Sequence, residues 1–256
     1  MRYRRTADPD PWIWKQRLHV APRLAKDYRF IAVDLKGFGR SPKPQDQRYS
    51  LYEQARLVRD FIVARDLRNI TLIGHSYGGG VALVATLYLA DLSPPRQSAL
   101  VLIDTIAYRQ ELPYFIRLLT TPLLGPLLMR WIPPETQVRM VMKRVFHDDS
   151  AIEEDAVASY ADSLRSREGQ HAALTTARQM LPPDLDDLSG EYCRIGVPTL
   201  IVWARHDDIV PFAVGERLHR AIPQSSLAVV ESSGHAPQEE RPEALCALLA
   251  RFLQKR

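Results

Sequence analysis

Short apolar runs rich in β-branched residues recur along the chain between segments of helical period: Phe30 to Val33, Ile70 to Ile73, Leu100 to Ile103, Thr199 to Trp203 and Leu227 to Val230. Runs that lack polar alternation are the mark of strands buried on both faces, which implies a parallel sheet with helices on either side. Leu51 to Leu67 and Val81 to Leu92 read as helices, the second closed by Pro94 and Pro95. The last segment has the clearest helical pattern. Pro242 takes a first-turn position, and Leu245, Leu248, Leu249, Phe252 and Leu253 fall on one stripe. The expected class is α/β, a doubly wound and mostly parallel sheet.

Between Tyr108 and Ile195 the strand pattern vanishes over a stretch far longer than an ordinary α/β connection, and the residues read as consecutive helices. This predicts a helical insertion over 109–194, interrupting a core made of 1–108 and 195–256. Within it, Ser150 to Glu153 forms a capping box opening a helix to about Ser166. A second helix from about Glu168 stops at Pro182 and Pro183, and Asp184 to Gly190 reads as the loop returning to the sheet. The most apolar stretch, Tyr114 to Pro133, is broken by Arg117, Pro122, Pro126 and Arg130, so it cannot supply the ~20 unbroken apolar residues of a membrane span.

Composition narrows the class further. With 46% hydrophobic and 25% charged residues among 256, the chain is neither disordered, collagenous nor coiled coil. The 34 Lys and Arg against 30 Asp and Glu leave only +4, dispersed without a basic stripe, so no nucleic-acid partner is expected. Cys193 and Cys246 lack metal-ligand spacing and are expected to be reduced, buried thiols; neither metal nor cofactor is implied. The charged N-terminus has no apolar signal segment, which places the expected location in the cytoplasm.

The predicted strand Ile70 to Ile73 runs into Gly74-His75-Ser76-Tyr77-Gly78-Gly79 and then a helix, which is G-x-S-x-G in strand-turn-helix context. So sharp a turn strains the backbone at Ser76, and Gly74 and Gly78 are expected to make room for it. The Tyr77 N–H, at a helix start, can face a developing oxyanion. A serine hydroxyl is a weak nucleophile at neutral pH, so it needs a histidine base oriented by a carboxylate. Asp207 follows the strand Thr199 to Trp203, and His235 follows Leu227 to Val230; strand ends of this kind are where open α/β sheets assemble sites. Asp208, and Asp104 after Leu100 to Ile103, are alternative acids. His75 lines a pocket or packs, His206 sits in an exposed turn, and His19, His147, His171 and His219 read as surface or capping residues in helical surroundings.

At these positions the chain resembles the capped serine hydrolases of the α/β-hydrolase superfamily, which include esterases, lactonases and carbon-carbon bond hydrolases. The resemblance runs from about residue 12 to the C-terminus. It rests on Asp34-Leu35-Lys36-Gly37-Phe38-Gly39-Arg40-Ser41, Gly74 to Gly79, Trp203 to Pro211 and Gly234-His235-Ala236-Pro237, with the helical insertion where that family carries its cap. It implies a triad of Ser76, His235 and Asp207 acting on a small-molecule substrate, and it leaves the oligomeric state open. A serine at position 76 disfavours the related dehalogenase and epoxide-hydrolase chemistries, which use aspartate there. The expected activity is hydrolysis of a small to medium, largely apolar ester or lactone through an acyl-serine intermediate. The alternatives are carbon-carbon bond hydrolysis by the same residues, or a truncated, non-catalytic ligand-binding domain. Tyr114, Phe115, Leu118, Leu123, Leu124, Leu127, Leu128 and Trp131 are candidates to line the substrate cavity or to pack the cap on the core.

One family feature is missing. The family's apolar strand ending in His-Gly, which supplies a second oxyanion donor, would fall near Arg4 and Arg5, and nothing before them reads as a strand. That strand would lie between those of Phe30 and Ile70, so the chain reads as beginning late, through a misplaced start or a truncation. Losing one oxyanion donor costs about 10² to 10³ in rate.

Overall fold

The computed structural model describes residues 2–5 and 20–255. In chain order, strand β1 (Arg2–Arg5) is followed by helix α1 (Ala21–Leu24), β2 (Ile31–Asp34), α2 (Leu51–Ala64), β3 (Ile70–His75), α3 (Ser76–Ala90) and β4 (Gln97–Ile103). A helical block comes next: α4 (Tyr114–Thr120), α5 (Leu124–Trp131), α6 (Pro134–Val145), α7 (Glu154–Asp162), α8 (Arg167–Gln179) and α9 (Leu185–Ser189). The chain closes with β5 (Thr199–Ala204), α10 (Phe212–Ala221), β6 (Ser225–Val230), α11 (Pro237–Glu240) and α12 (Pro242–Leu253).

Strands β3, β4, β5 and β6 form a parallel sheet in that order, with His75 opposite Ile103 and Thr199 opposite Ser225. Side-chain alternation divides its two faces. Leu100 and Leu102 of β4 join Ile201 and Trp203 of β5 on the face covered by α2, α3 and α10, while Ala99, Val101, Ile103, Leu200 and Val202 face α1 and α12. The stripe read on the last segment supplies that second cover through Leu245, Leu249, Phe252 and Leu253. The central strands β4 and β5 are buried on both faces, as their unalternating sequences require, while β3 and β6 are half-buried and Ile73 of β3 is exposed.

Strand β2 belongs to a separate two-stranded ribbon, paired antiparallel with β1 so that Arg2 lies opposite Asp34 and Arg5 opposite Ile31. Among the described residues no ladder joins this ribbon to β3. The reading that nothing before Arg4 and Arg5 forms a strand is therefore corrected, since the strand begins at Arg2. An antiparallel ladder is made by backbone groups, and an edge position accepts charged residues that a buried strand would not.

Three further local expectations change. The helix assigned to Ser150–Ser166 spans only Glu154–Asp162, because Ser150 is drawn into a 3₁₀ turn whose cap is Asp148, accepting from Ser150 N. Asp184 to Gly190 is not a plain loop: Leu185 is fully buried and anchors α9. Cys193 is exposed although Cys246 is buried, since the 3₁₀ turn Gly190–Arg194 sends Tyr192 inward and leaves Cys193 Sγ on Gly190 O at 3.4 Å.

Candidate active site

Three loops leave the carboxyl edge of the parallel sheet and meet. Ser76 directly follows β3 and opens α3 with a positive φ of 52°, sparsely populated by any residue other than glycine and held here by a crossing too tight for side chains. A Cβ on Gly74 would lie 2.3 Å from Gly78 O, and one on Gly79 would lie 2.2 Å from Thr105 Oγ1. Gly78, expected to share this role, has open space where its Cβ would stand; its carbonyl, not its missing side chain, is what crowds the turn. The Ser76 carbonyl is fixed from outside the helix by Ile106 N at 3.2 Å.

The strand ends bring the candidate residues into one line. His235 Nε2 is 2.7 Å from Ser76 Oγ, and His235 Nδ1 is 2.7 Å from Asp207 Oδ2. The Asp207 side chain is fully enclosed and that of His235 is 6% exposed. The other Asp207 oxygen, Oδ1, accepts from Ile209 N at 2.8 Å and Val210 N at 2.9 Å, so the turn after β5 aims Oδ2 at the imidazole. The carboxylate oxygen facing Nδ1 places that nitrogen's proton toward Asp207 and leaves Nε2 with its lone pair toward the serine. Tyr77 is the second residue of α3, where the helix offers its N–H no carbonyl partner, and its hydroxyl is tied to Tyr49 O at 3.0 Å.

Neither alternative acid takes a hydrogen bond from the His235 ring, whose two nitrogens face Asp207 and Ser76. Asp208 is exposed on the same turn. Asp104 is fully buried, and its Oδ1 accepts from Ala204 N at 2.8 Å. Burial, and after it the negative charge of Asp207, raise the Asp104 carboxyl well above the usual carboxylate range. His75 Nε2 sits 2.6 Å from His235 O, and burial, with a smaller electrostatic contribution from the neighbouring His235 ring, pushes the His75 imidazole down to about 3. His75, Asp104 and His235 hold potential metal-ligand atoms within 4.8 Å of one another. Both ring nitrogens of His235 are engaged by Asp207 and Ser76, so a cation there would have to displace one of them.

The remaining histidines scatter. His171 Nε2 meets Asp46 O at 2.8 Å, His219 Nδ1 meets Ser225 Oγ at 2.8 Å, and His19 lies outside the described residues. His147, expected in a helix, follows α6 in a loop and stacks on His206 with centroids 4.2 Å apart. Of the apolar residues expected to line a cavity, Tyr114, Leu123, Leu127 and Trp131 point to solvent instead. Gly125 and Met129 are the buried side of α5, which leaves Leu127 and Trp131 outward, while Tyr114 is the exposed first residue of α4 and Leu123 the exposed cap residue before α5. Gly37 and Gly39 form a left-handed loop, and a Cβ on Gly39 would strike the Asp34 carboxyl at 2.4 Å.

A model of the alpha/beta hydrolase family matches residues 6–248. The chain belongs to the alpha/beta hydrolase family. This hydrolase is 30% identical over 236 residues to the uncharacterized hydrolase YugF of Bacillus subtilis, covering 92% of this chain and 84% of that one. It is 29% identical to the 2-hydroxymuconate semialdehyde hydrolase of Pseudomonas putida, over 90% of this chain and 79% of that one. In fold it matches a thermophilic esterase from Thermogutta terrifontis with a TM-score of 0.79 at 22% identity, covering 99% of this chain and 93% of that one. A meta-cleavage product hydrolase from Pseudomonas fluorescens also gives 0.79, at 20% identity, over 94% and 85% of the two chains. The doubly wound fold is that of the family, and its relatives include a 2-hydroxymuconate semialdehyde hydrolase. No described helix is long and apolar enough to cross a membrane.

Proposed function

We propose that this alpha/beta hydrolase cleaves a small to medium, largely apolar ester or lactone through an acyl-serine intermediate, with Ser76 as nucleophile. The supporting observation is the unbroken line Ser76 Oγ, His235 Nε2, His235 Nδ1, Asp207 Oδ2, with 2.7 Å at each hydrogen bond. His235 takes the Ser76 proton as the hydroxyl attacks the substrate carbonyl, then delivers it to the departing alcohol. Asp207 holds the imidazole and stabilises the imidazolium, and the Tyr77 N–H faces the oxyanion. Water then repeats the sequence on the acyl-enzyme, with His235 again as base. Residues 109–194 act as the cap over this site, and the half-buried Phe115, Leu118, Leu124 and Leu128 are its candidates for substrate contact.

Carbon-carbon hydrolysis of a vinylogous diketone is the second reading, favoured by the likeness to the Pseudomonas putida semialdehyde hydrolase. It would use the same three residues, and assays with a p-nitrophenyl ester and a ring-cleavage product distinguish the two. Either chemistry requires an activated serine. Treatment with a fluorophosphonate, followed by intact mass and peptide mapping, is expected to modify Ser76 alone and to leave Ser76→Ala unmodified. A folded wild-type protein that takes no label would overturn the serine mechanism.

A further inference from the structure

Glu240, the last residue of α11, is 7% exposed, and its carboxylate is divided between two parts of the chain. Oε1 accepts from His147 N at 2.8 Å and Asp148 N at 3.1 Å, in the segment leaving α6 of the cap. Oε2 accepts from Gly234 N at 2.7 Å and Ser233 Oγ at 3.3 Å, in the loop that carries His235. The two segments are also joined directly. His235 N donates to Val145 O at 2.7 Å, and His147 stacks on His206, whose N–H reaches Ser233 O at 3.0 Å. They run so close that a Cβ on Gly234 would stand 2.5 Å from Val145 O and 2.7 Å from His147 N. Ionised acceptors form the stronger hydrogen bonds, and a buried carboxylate needs several donors to remain there. Among the described residues, Glu240 is the side chain whose two oxygens accept from both segments.

We infer that Glu240 is a positioning residue that makes the cap junction 145–148 and the histidine loop 233–235 move as one body, so that displacing the cap draws His235 away from Ser76. The inference rests on the hydrolase reading above for its kinetic consequence, and on the hydrogen bonds alone for its mechanical one. A displacement of about 1 Å at a base is enough to cost on the order of 10²-fold in rate. The junction therefore couples the cap's position to the chemistry without touching substrate.

Glu240→Gln preserves volume, but its amide nitrogen cannot accept a hydrogen bond, so one of the two donor pairs faces a donor. Hydrogen exchange read by mass spectrometry is expected to rise about tenfold or more together in peptides covering 144–149 and 232–236, with the β4 and β5 peptides unchanged. Assayed well below its melting temperature, the variant should lose about ten- to a hundredfold in kcat on a soluble p-nitrophenyl ester, with KM moving less than about threefold. Its rate of fluorophosphonate labelling at Ser76 should fall in step. Glu240→Asp retains the charge but is a methylene shorter, and it should restore protection to one segment and only part of the rate. If exchange rises in one segment alone, or if the lost rate equals the unfolded fraction, the coupling is refuted. If wild-type Ser76 takes no label, the serine mechanism fails and the exchange experiment still decides the coupling.

Discussion

Replacing Asp207 by Asn tests the orientation of the base without altering volume. Asp207 Oδ1 accepts two backbone N–H groups, from Ile209 and Val210, while Oδ2 faces His235 Nδ1. Asparagine has one oxygen to divide between these demands. If the oxygen stays with the two N–H groups, the amide NH₂ points at Nδ1 and forces the imidazole to carry its proton on Nε2, toward Ser76, where it cannot act as a base. Turning the amide round restores the tautomer but sets two buried N–H groups against an NH₂. At about 1 kcal/mol or more for each lost bond, that orientation lies at least ~2 kcal/mol higher and is populated by a few per cent. The charge that stabilised the imidazolium is lost in both. A comparable substitution in a serine protease triad costs about 10⁴ in kcat, equivalent to ~5.5 kcal/mol. The expected result for Asp207→Asn is a 10³- to 10⁴-fold fall in kcat on p-nitrophenyl butyrate, with a thermal melt close to that of the parent. A variant that folds and stays within tenfold of wild type would refute the assignment and shift attention to Asp104.

Two further predictions concern buried acids outside the proposed triad. Burial pushes Glu239 up to about 7, a rise that the hydrogen bond from the Tyr160 hydroxyl opposes, so the folded state holds its proton more tightly than the unfolded chain does near 4.5. The stability tied to that proton is present below 4.5 and lost as pH rises through 7, so the melting-temperature gain of Glu239→Gln should grow from near zero at pH 4.5 to its maximum by pH 8. At most about 3 kcal/mol is involved, and a gain that does not vary with pH would contradict it. Burial and, after it, the charge of Asp207 raise the Asp104 carboxyl, so it follows the same sign, with stability lost as pH rises above its ordinary value of 3.8. Asp104→Asn keeps an acceptor for Ala204 N, so denaturant titrations should show it more stable than wild type at pH 8 than at pH 4, with kcat within about threefold; a large loss of activity would make Asp104 part of the machinery.

Much of the parallel sheet was legible because strands covered on both faces leave a strong, unalternating apolar signal, as Leu100 to Ile103 and Thr199 to Trp203 do. Ser76, Asp207 and His235 were readable because sharp turns at strand ends demand particular residues in a fixed chain order. Glu240 was not. In Pro237-Gln238-Glu239-Glu240 two acids stand side by side, and which of them turns to the backbone of residues 147 and 148 depends on a contact remote in sequence. Ser150 misled because the cap preference of its hydroxyl is weaker than the competing turn closed by Asp148. β1 escaped notice since an edge ribbon needs backbone partners more than apolar side chains. The outward face of α5 was equally hidden, for a helix rich in leucine on most sides does not announce which side meets the core.

The division of the strands into a ribbon and a separate four-stranded sheet has a bearing on how the molecule comes apart. Cooperative unfolding is transmitted where elements share ladders and core, and elements that do not share them open in separate steps. Among the described residues no ladder ties the β1–β2 ribbon to the sheet that carries Ser76, Asp207 and His235, so its pairing can be lost without breaking a hydrogen bond of that sheet, though Phe30 and Leu35 beside β2 still pack on the core. Residual activity during heating would then report the melting of the larger sheet alone, and would overstate how much of the chain is still folded.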